Sequence, residues 1–166
     1  DSCYECKHCR NGEEQFCIEG ATWTYNGKDR VTKEVTFGGY SKHIVVREDF
    51  VLSVPETLDF ARVGPILCAG ITTYSPLRQH DVGPGSRVGV VGLGGRGHMA
   101  VKLAAGLGAE VTVISRSPSK EATARALGAD NFLISTDADA MKAAASTFDV
   151  IIDTIPVKHD VSEFVP

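Results

Sequence analysis

A short apolar run breaks into glycines and restarts as a helix between residues 86 and 107: "SRVGVV", then "GLGGRG", then "HMAVKLAAGL". This is the stretch that most limits the fold. Ala100, Leu103, Ala104 and Leu107 recur at helical spacing, and Gly108 supplies a stop. A second strand, "EVTVIS", follows at residues 110–115. Gly92, Gly94 and Gly97 stand in the G-x-G-x-x-G spacing, between Leu93, Gly95 and Arg96. Alone that motif is weak. Leaving a strand and opening a helix, with another strand behind, it is a dinucleotide-binding signature. The first glycine allows a tight turn, the second lets backbone amides approach a pyrophosphate, and the third lets helix and sheet pack closely. The anion then sits at the positive end of the helix. A ligand-free glycine turn is the plainer reading, and the surrounding strand–helix–strand order disfavours it.

The alternation continues downstream. Residues 119–127 read as a helix stopped by Gly128, 131–134 as a strand, 137–146 as a helix and 149–153 as a strand. Such alternation predicts an α/β fold with a doubly wound parallel sheet. The end of the second strand bears on the cofactor. A fold that takes NAD usually carries Asp or Glu there, to accept hydrogen bonds from the ribose. Here the strand ends in "SRSPSK". Ser115, Arg116, Ser117, Ser119 and Lys120 are all donors, and two are cations. That set suits a 2′-phosphate, so NADP(H) is expected over NAD(H). Ser117 or Ser119 could also cap the next helix.

The N-terminal end carries a different constellation. "CYECKHCRNGEEQFC" places Cys3, Cys6, Cys9 and Cys17 within fifteen positions. Tight C-x-x-C loops bring thiolates to one tetrahedral ion, and a closed four-sulfur shell suits structural zinc. Lys7 and Arg10 would offset its negative charge. Bacterial ferredoxins open similarly, but their last gap is three residues with proline after it. Here seven residues precede Cys17 and Ile18 follows. Disulfides or free thiols are the remaining alternatives, and His8 reads as a solvated loop residue. The total of five cysteines is odd, which fits a reducing compartment and a cytoplasmic location better than a disulfide framework. A net charge of −4 offers no footprint for nucleic acid, and no apolar run is long enough to span a membrane.

Cysteines upstream of a nucleotide fold give the chain a family resemblance. The carrying segments are "CYECKHCRNGEEQFC", "TYNGKDR", "GGYSKHIVV", "PILCAGITTYSPL", "VGVVGLGGRGHMAVKLA" and "EVTVISRSPSK". The sequence resembles the zinc-dependent medium-chain alcohol dehydrogenases. It is most similar to their cinnamyl alcohol dehydrogenase branch and the bacterial NADP-dependent aldehyde reductases related to it. The resemblance implies a structural zinc on Cys3, Cys6, Cys9 and Cys17, and makes Cys68 one ligand of a second, catalytic zinc. Read from its residues alone, Cys68 in "LCAGITTY" is a buried core thiol. The resemblance further implies cofactor contacts from Thr72, the glycine loop, the donors after the second strand and Thr154. It implies zinc-dependent, NADP(H)-linked interconversion of primary alcohols and aldehydes, with a small-molecule substrate and a homodimeric parent. Arg96 departs from the family, which usually has a small or apolar residue there.

The family's remaining catalytic ligands and proton relay lie upstream of the cysteine loop. The chain is therefore expected to be an internal piece of a longer enzyme and inactive alone. Residues 1–80 are expected to form part of a GroES-like, mainly β catalytic domain with a zinc lobe, and 81–166 a truncated Rossmann domain. Within the first part, 38–46 and 50–55 read as strands, with Tyr40, Ile44 and Val46 on a buried face. His43 and His98 read as structural. Two other classes stay open: a non-catalytic NADP- and zinc-binding fragment, and a zinc-stabilised interaction module.

Overall fold

Val88, Val90 and Val91 are almost wholly buried along β3 (Arg87–Val91). A strand apolar on both faces belongs inside a parallel sheet covered by helices. In the computed structural model, which describes residues 1–164, β3 is such a strand. It pairs in parallel with β4 (Glu110–Ser115) on one side and β6 (Val150–Asp153) on the other. β5 (Asn131–Ile134) pairs outside β4, giving the order β5-β4-β3-β6.

The helices follow the same logic. α4 (Gly95–Gly106) buries Ala100, Val101 and Ala104, small residues that let it lie close to the sheet. α3 (Ala69–Gln79) buries Leu77 and Thr73, and packs with α4. α5 (Glu121–Ala126) and α6 (Ala138–Ala143) link the outer strands. Asp137 caps α6 by accepting the Ala140 amide at 3.0 Å. α2 (Phe60–Val63) is one turn, capped by Asp59 and continued by a 3₁₀ turn over Gly64–Leu67.

The chain divides into compact units at Asp1–Pro55 and Glu56–Pro166. Residues 56–80 therefore pack with the nucleotide-type unit, whereas the sequence suggested a boundary at 80/81. Helix α3 buries Gly70, Thr73 and Leu77 within this second unit, while Ile71 and Tyr74 on it stay exposed.

The first unit holds α1 (Lys7–Arg10) and an antiparallel pair, β1 (Tyr25–Lys28) with β2 (Val35–Phe37). The strands expected at 38–46 and 50–55 do not form among the described residues. Tyr40, Ile44 and Val46 are exposed, not buried. A β-branched run becomes a strand only beside a partner ladder, and residues 38–55 have none here.

Candidate functional site

All four parallel strands end at one edge of the sheet, at Val91, Ser115, Ile134 and Asp153. The chain runs outward from β3 to β4 to β5, then crosses to β6 on the far side of β3. The order reverses between β3 and β6, and ligands of open α/β sheets bind at that reversal. A cleft of about 1310 Å³ opens there, roomier than the ~300–1,000 Å³ that holds a drug-sized ligand.

The glycine loop forms one wall. Gly92 leaves β3 at φ +84°, a backbone region open to glycine. At Gly97 a Cβ would lie 2.2 Å from the Gly92 carbonyl oxygen, so the helix meets its own approach loop with no room for a side chain. Gly94 and Gly95 face open space: a Cβ there would meet nothing within 4 Å. The first turn of α4 has no side-chain cap, which leaves its amides available to an anion.

The end of β4 forms the opposite wall. Ser115 is buried and accepts the Ser117 amide at 3.3 Å, while Arg116 is exposed. Lys120 donates to the Leu93 carbonyl at 3.3 Å, so it leans over the glycine loop. Ser117 makes no capping bond, and neither serine caps α5, whose N-cap is Lys120. Arg96, Arg116, Lys120 and Lys158 line the cleft against two carboxylates, Asp160 and Glu163. The balance is positive in a chain of net charge −4. Thr154 donates its hydroxyl to the Val91 and Gly92 carbonyls, at 2.8 and 3.2 Å, and so ties the end of β6 to the glycine loop.

The cleft thus gathers Gly92, Leu93, Gly94, Gly95, Arg96, Ser115, Arg116, Ser117, Lys120 and Thr154. Gly97, Thr72 and Cys68 are not in its wall, although Ala69 is. Ser135, Thr136, Lys158 and His159 line it too, and sequence reading passed over them. Their position after β5 and β6, at the carboxyl edge, was the available signal. Cys68 is exposed at the N-cap of α3, so the buried-thiol reading of this residue does not hold.

The cysteine lobe has its own geometry. The four sulfurs lie within 4.8 Å of one another. Cys6 and Cys9 are 3.5 Å apart, Cys3 and Cys9 3.9 Å. Tetrahedral zinc with Zn–S bonds of ~2.3 Å sets its sulfurs about 3.8 Å apart, so the donors match that ion. All five cysteines are free thiols, without disulfides. The amides of Cys3 and Cys6 donate to the sulfurs of Cys17 and Cys3, each at 3.4 Å. The amides of Cys9 and Ile18 pull the Cys6 thiol down to about 6. At Cys3 the Cys6 amide acts in the same direction, but burial and the neighbouring sulfurs leave that thiol raised to about 11. Cys17 is lowered, first by the Cys3 amide. A divalent cation would relieve the repulsion among thiolates this close together. His8 turns instead to Glu13, at 3.1 Å.

Residues 95–165 match the family model of the zinc-binding dehydrogenases. That stretch begins with α4 and takes in β4, β5 and β6. Over 99% of its length the chain is 48% identical to the probable formaldehyde dehydrogenase AdhA of Bacillus subtilis, of which it covers 47%. Its fold matches a cinnamyl alcohol dehydrogenase of Sorghum bicolor, with TM-score 0.88, 50% identity, 99% of this chain and 47% of that one. A cinnamyl alcohol dehydrogenase of Helicobacter pylori, solved with NADP(H), gives TM-score 0.85, 43% identity, 99% and 46%. The chain spans about half the length of the curated relatives it matches. Most residues lining the crevice fall within 95–165, while the cysteine lobe belongs to the other compact unit.

Proposed function

We propose that the chain is part of a zinc-dependent, NADP(H)-linked oxidoreductase that interconverts primary alcohols and aldehydes. The observation that carries the reading is the crevice at the strand reversal, with open glycine backbone on one side and Arg116 and Lys120 on the other. The amides of the first turn of α4 would take the pyrophosphate. Ser115, Arg116, Ser117 and Lys120 would take the 2′-phosphate, and Arg96 would add a cation near the pyrophosphate. When bound, the nicotinamide ring carries the hydride, and a zinc held in part by Cys68 supplies a Lewis acid. The chain orients these groups: Thr154 fixes the glycine loop, and the start of α3 sets Cys68 close to Ala69 in the cleft wall. The four-cysteine lobe would hold a structural zinc, its shell closed and without catalytic work.

Catalytic zinc typically has three protein ligands. Among the described residues Cys68 belongs to no group of three, so the 166-residue chain is expected to bind NADPH without turnover. The small-molecule substrate, the homodimer and the cytoplasmic location belong to the same reading. None of the described helices is long and apolar enough to cross a membrane. The experiment is calorimetric titration of the zinc-loaded chain with NADPH and NADH, beside an aldehyde-reduction assay. NADPH binding tighter than NADH, without turnover, is the expected result. Preference for NADH would refute the cofactor assignment, and zinc-dependent turnover by this chain would refute the ligand assignment.

A further inference from the structure

The loop that leaves β6 is closed on itself by one histidine. Asp153, the last residue of the strand, accepts the Ile155 amide on Oδ1 at 2.9 Å. Its Oδ2 lies 2.7 Å from His159 Nε2. The other ring nitrogen, Nδ1, lies 2.7 Å from the Val157 carbonyl oxygen. Both partners are acceptors. A neutral imidazole carries one N–H, so it satisfies one contact and sets a lone pair against oxygen in the other. The imidazolium satisfies both.

The ring sits edge-on to Phe164, with centroids 6.1 Å apart, and its side chain is 22% exposed. Asp153 faces it from β6, and Asp160 and Glu163 from the turn that follows. Lys158 is the one cation of its own loop, and Arg116 and Lys120 line the same cleft from the end of β4. The Val157 carbonyl and the Asp153 carboxylate both raise the histidine's pKa. The closed loop is also part of the crevice. Residues 154–160 line it, and Thr154 bonds the Gly92 carbonyl of the glycine loop.

We propose that His159, as its imidazolium, is a positioning residue that clamps the loop after β6 into the wall of the crevice, so that the grip on NADP(H) loosens as His159 loses its proton. The inference rests on the NADP(H) reading above. The sign follows from linkage. A group held protonated in the clamped loop supports it fully below its ordinary value of 6.5 and fails as pH rises through the raised one. The loss is bounded by how far the clamp raises the histidine.

Asp153→Asn gives a specific test. The amide oxygen still accepts the Ile155 amide, and its NH₂ now donates to Nε2. Neutral His159, with its proton on Nδ1 toward Val157, then satisfies both bonds. The full chain and the variant are titrated with NADPH between about pH 6 and about pH 9, and the His159 ring nitrogens are followed by ¹⁵N NMR in the cofactor-free chain. The 2′-phosphate of the ligand titrates equally in both proteins, so the difference between their profiles is the readout. The expected result is a doubly protonated ring near pH 6, an affinity that falls with pH in the unmodified chain, and a flatter profile in Asp153→Asn. Parallel profiles, or a singly protonated ring near pH 6, overturn the clamp while NADPH binding stands. Absence of NADPH binding at every pH overturns the functional reading and the clamp's role with it.

Discussion

Replacing Gly97 with alanine separates packing from ligand binding. The new Cβ would lie 2.2 Å from the Gly92 carbonyl oxygen and 3.1 Å from its carbon. A relaxed carbon–oxygen contact is about 3.3 Å, so the start of α4 must retreat from the loop by about 1 Å. Neither neighbour is a flexible side chain that can yield. The cost belongs at the upper end of overpacking, about 3 kcal/mol. Alanine's better helix propensity offsets about 1 kcal/mol, leaving about 2 kcal/mol. With a urea slope of ~2 kcal/mol/M, the midpoint should fall by about 1 M. Far-ultraviolet circular dichroism is the right probe, because the one tryptophan, Trp23, lies in the other compact unit. Gly94→Ala is the control. Its Cβ meets nothing within 4 Å at φ −99°, so stability should change by no more than about 0.5 kcal/mol. Yet that methyl enters the space proposed for the pyrophosphate, and NADPH affinity should fall by about tenfold or more. An unchanged midpoint in Gly97→Ala, or equal destabilisation by Gly94→Ala, would refute the reasoning.

Other outcomes follow from the same geometry. Arg116→Ala and Lys120→Ala should each weaken NADPH by about tenfold or more, the scale of one charge-assisted hydrogen bond, and leave NADH nearly unchanged; equal losses for both cofactors would assign these residues to the loop alone. With zinc bound, one of the five thiols, Cys68, should react rapidly with a thiol reagent, and all five after chelation and unfolding; four fast thiols in metal-loaded protein would contradict the zinc lobe. Cys9→Ser should release the metal and loosen residues 1–20, read by elemental analysis and amide exchange, while Cys68→Ser should leave the metal content at one zinc per chain.

The nucleotide-type half was legible because its local signals agree with one another. "EVTVIS" and "NFLI" became β4 and β5 over the residues expected, since apolar runs between glycine stops have one way to bury both faces. Pro76 lies inside α3, which continues to Gln79. Residues 38–55 misled because strand character depends on a partner, and a run such as "HIVV" looks the same with or without one. The cysteine cluster was readable from spacing alone. His159 was not: its bonds to Val157 and Asp153 follow no period, and they exist only where the chain doubles back after β6. Nor could spacing tell that Cys68 is exposed, because its apolar neighbours Ile66 and Leu67 are exposed as well.

The most direct test of the central claim is an amide map of NADPH on the ¹⁵N-labelled chain. Cofactor in the crevice between β3 and β6 should shift the amides of residues 92–97, 115–120 and 154–159, and NADH should reproduce the first set with weaker changes in the second. Shifts confined to residues 1–55, or none at saturating NADPH, would contradict the account.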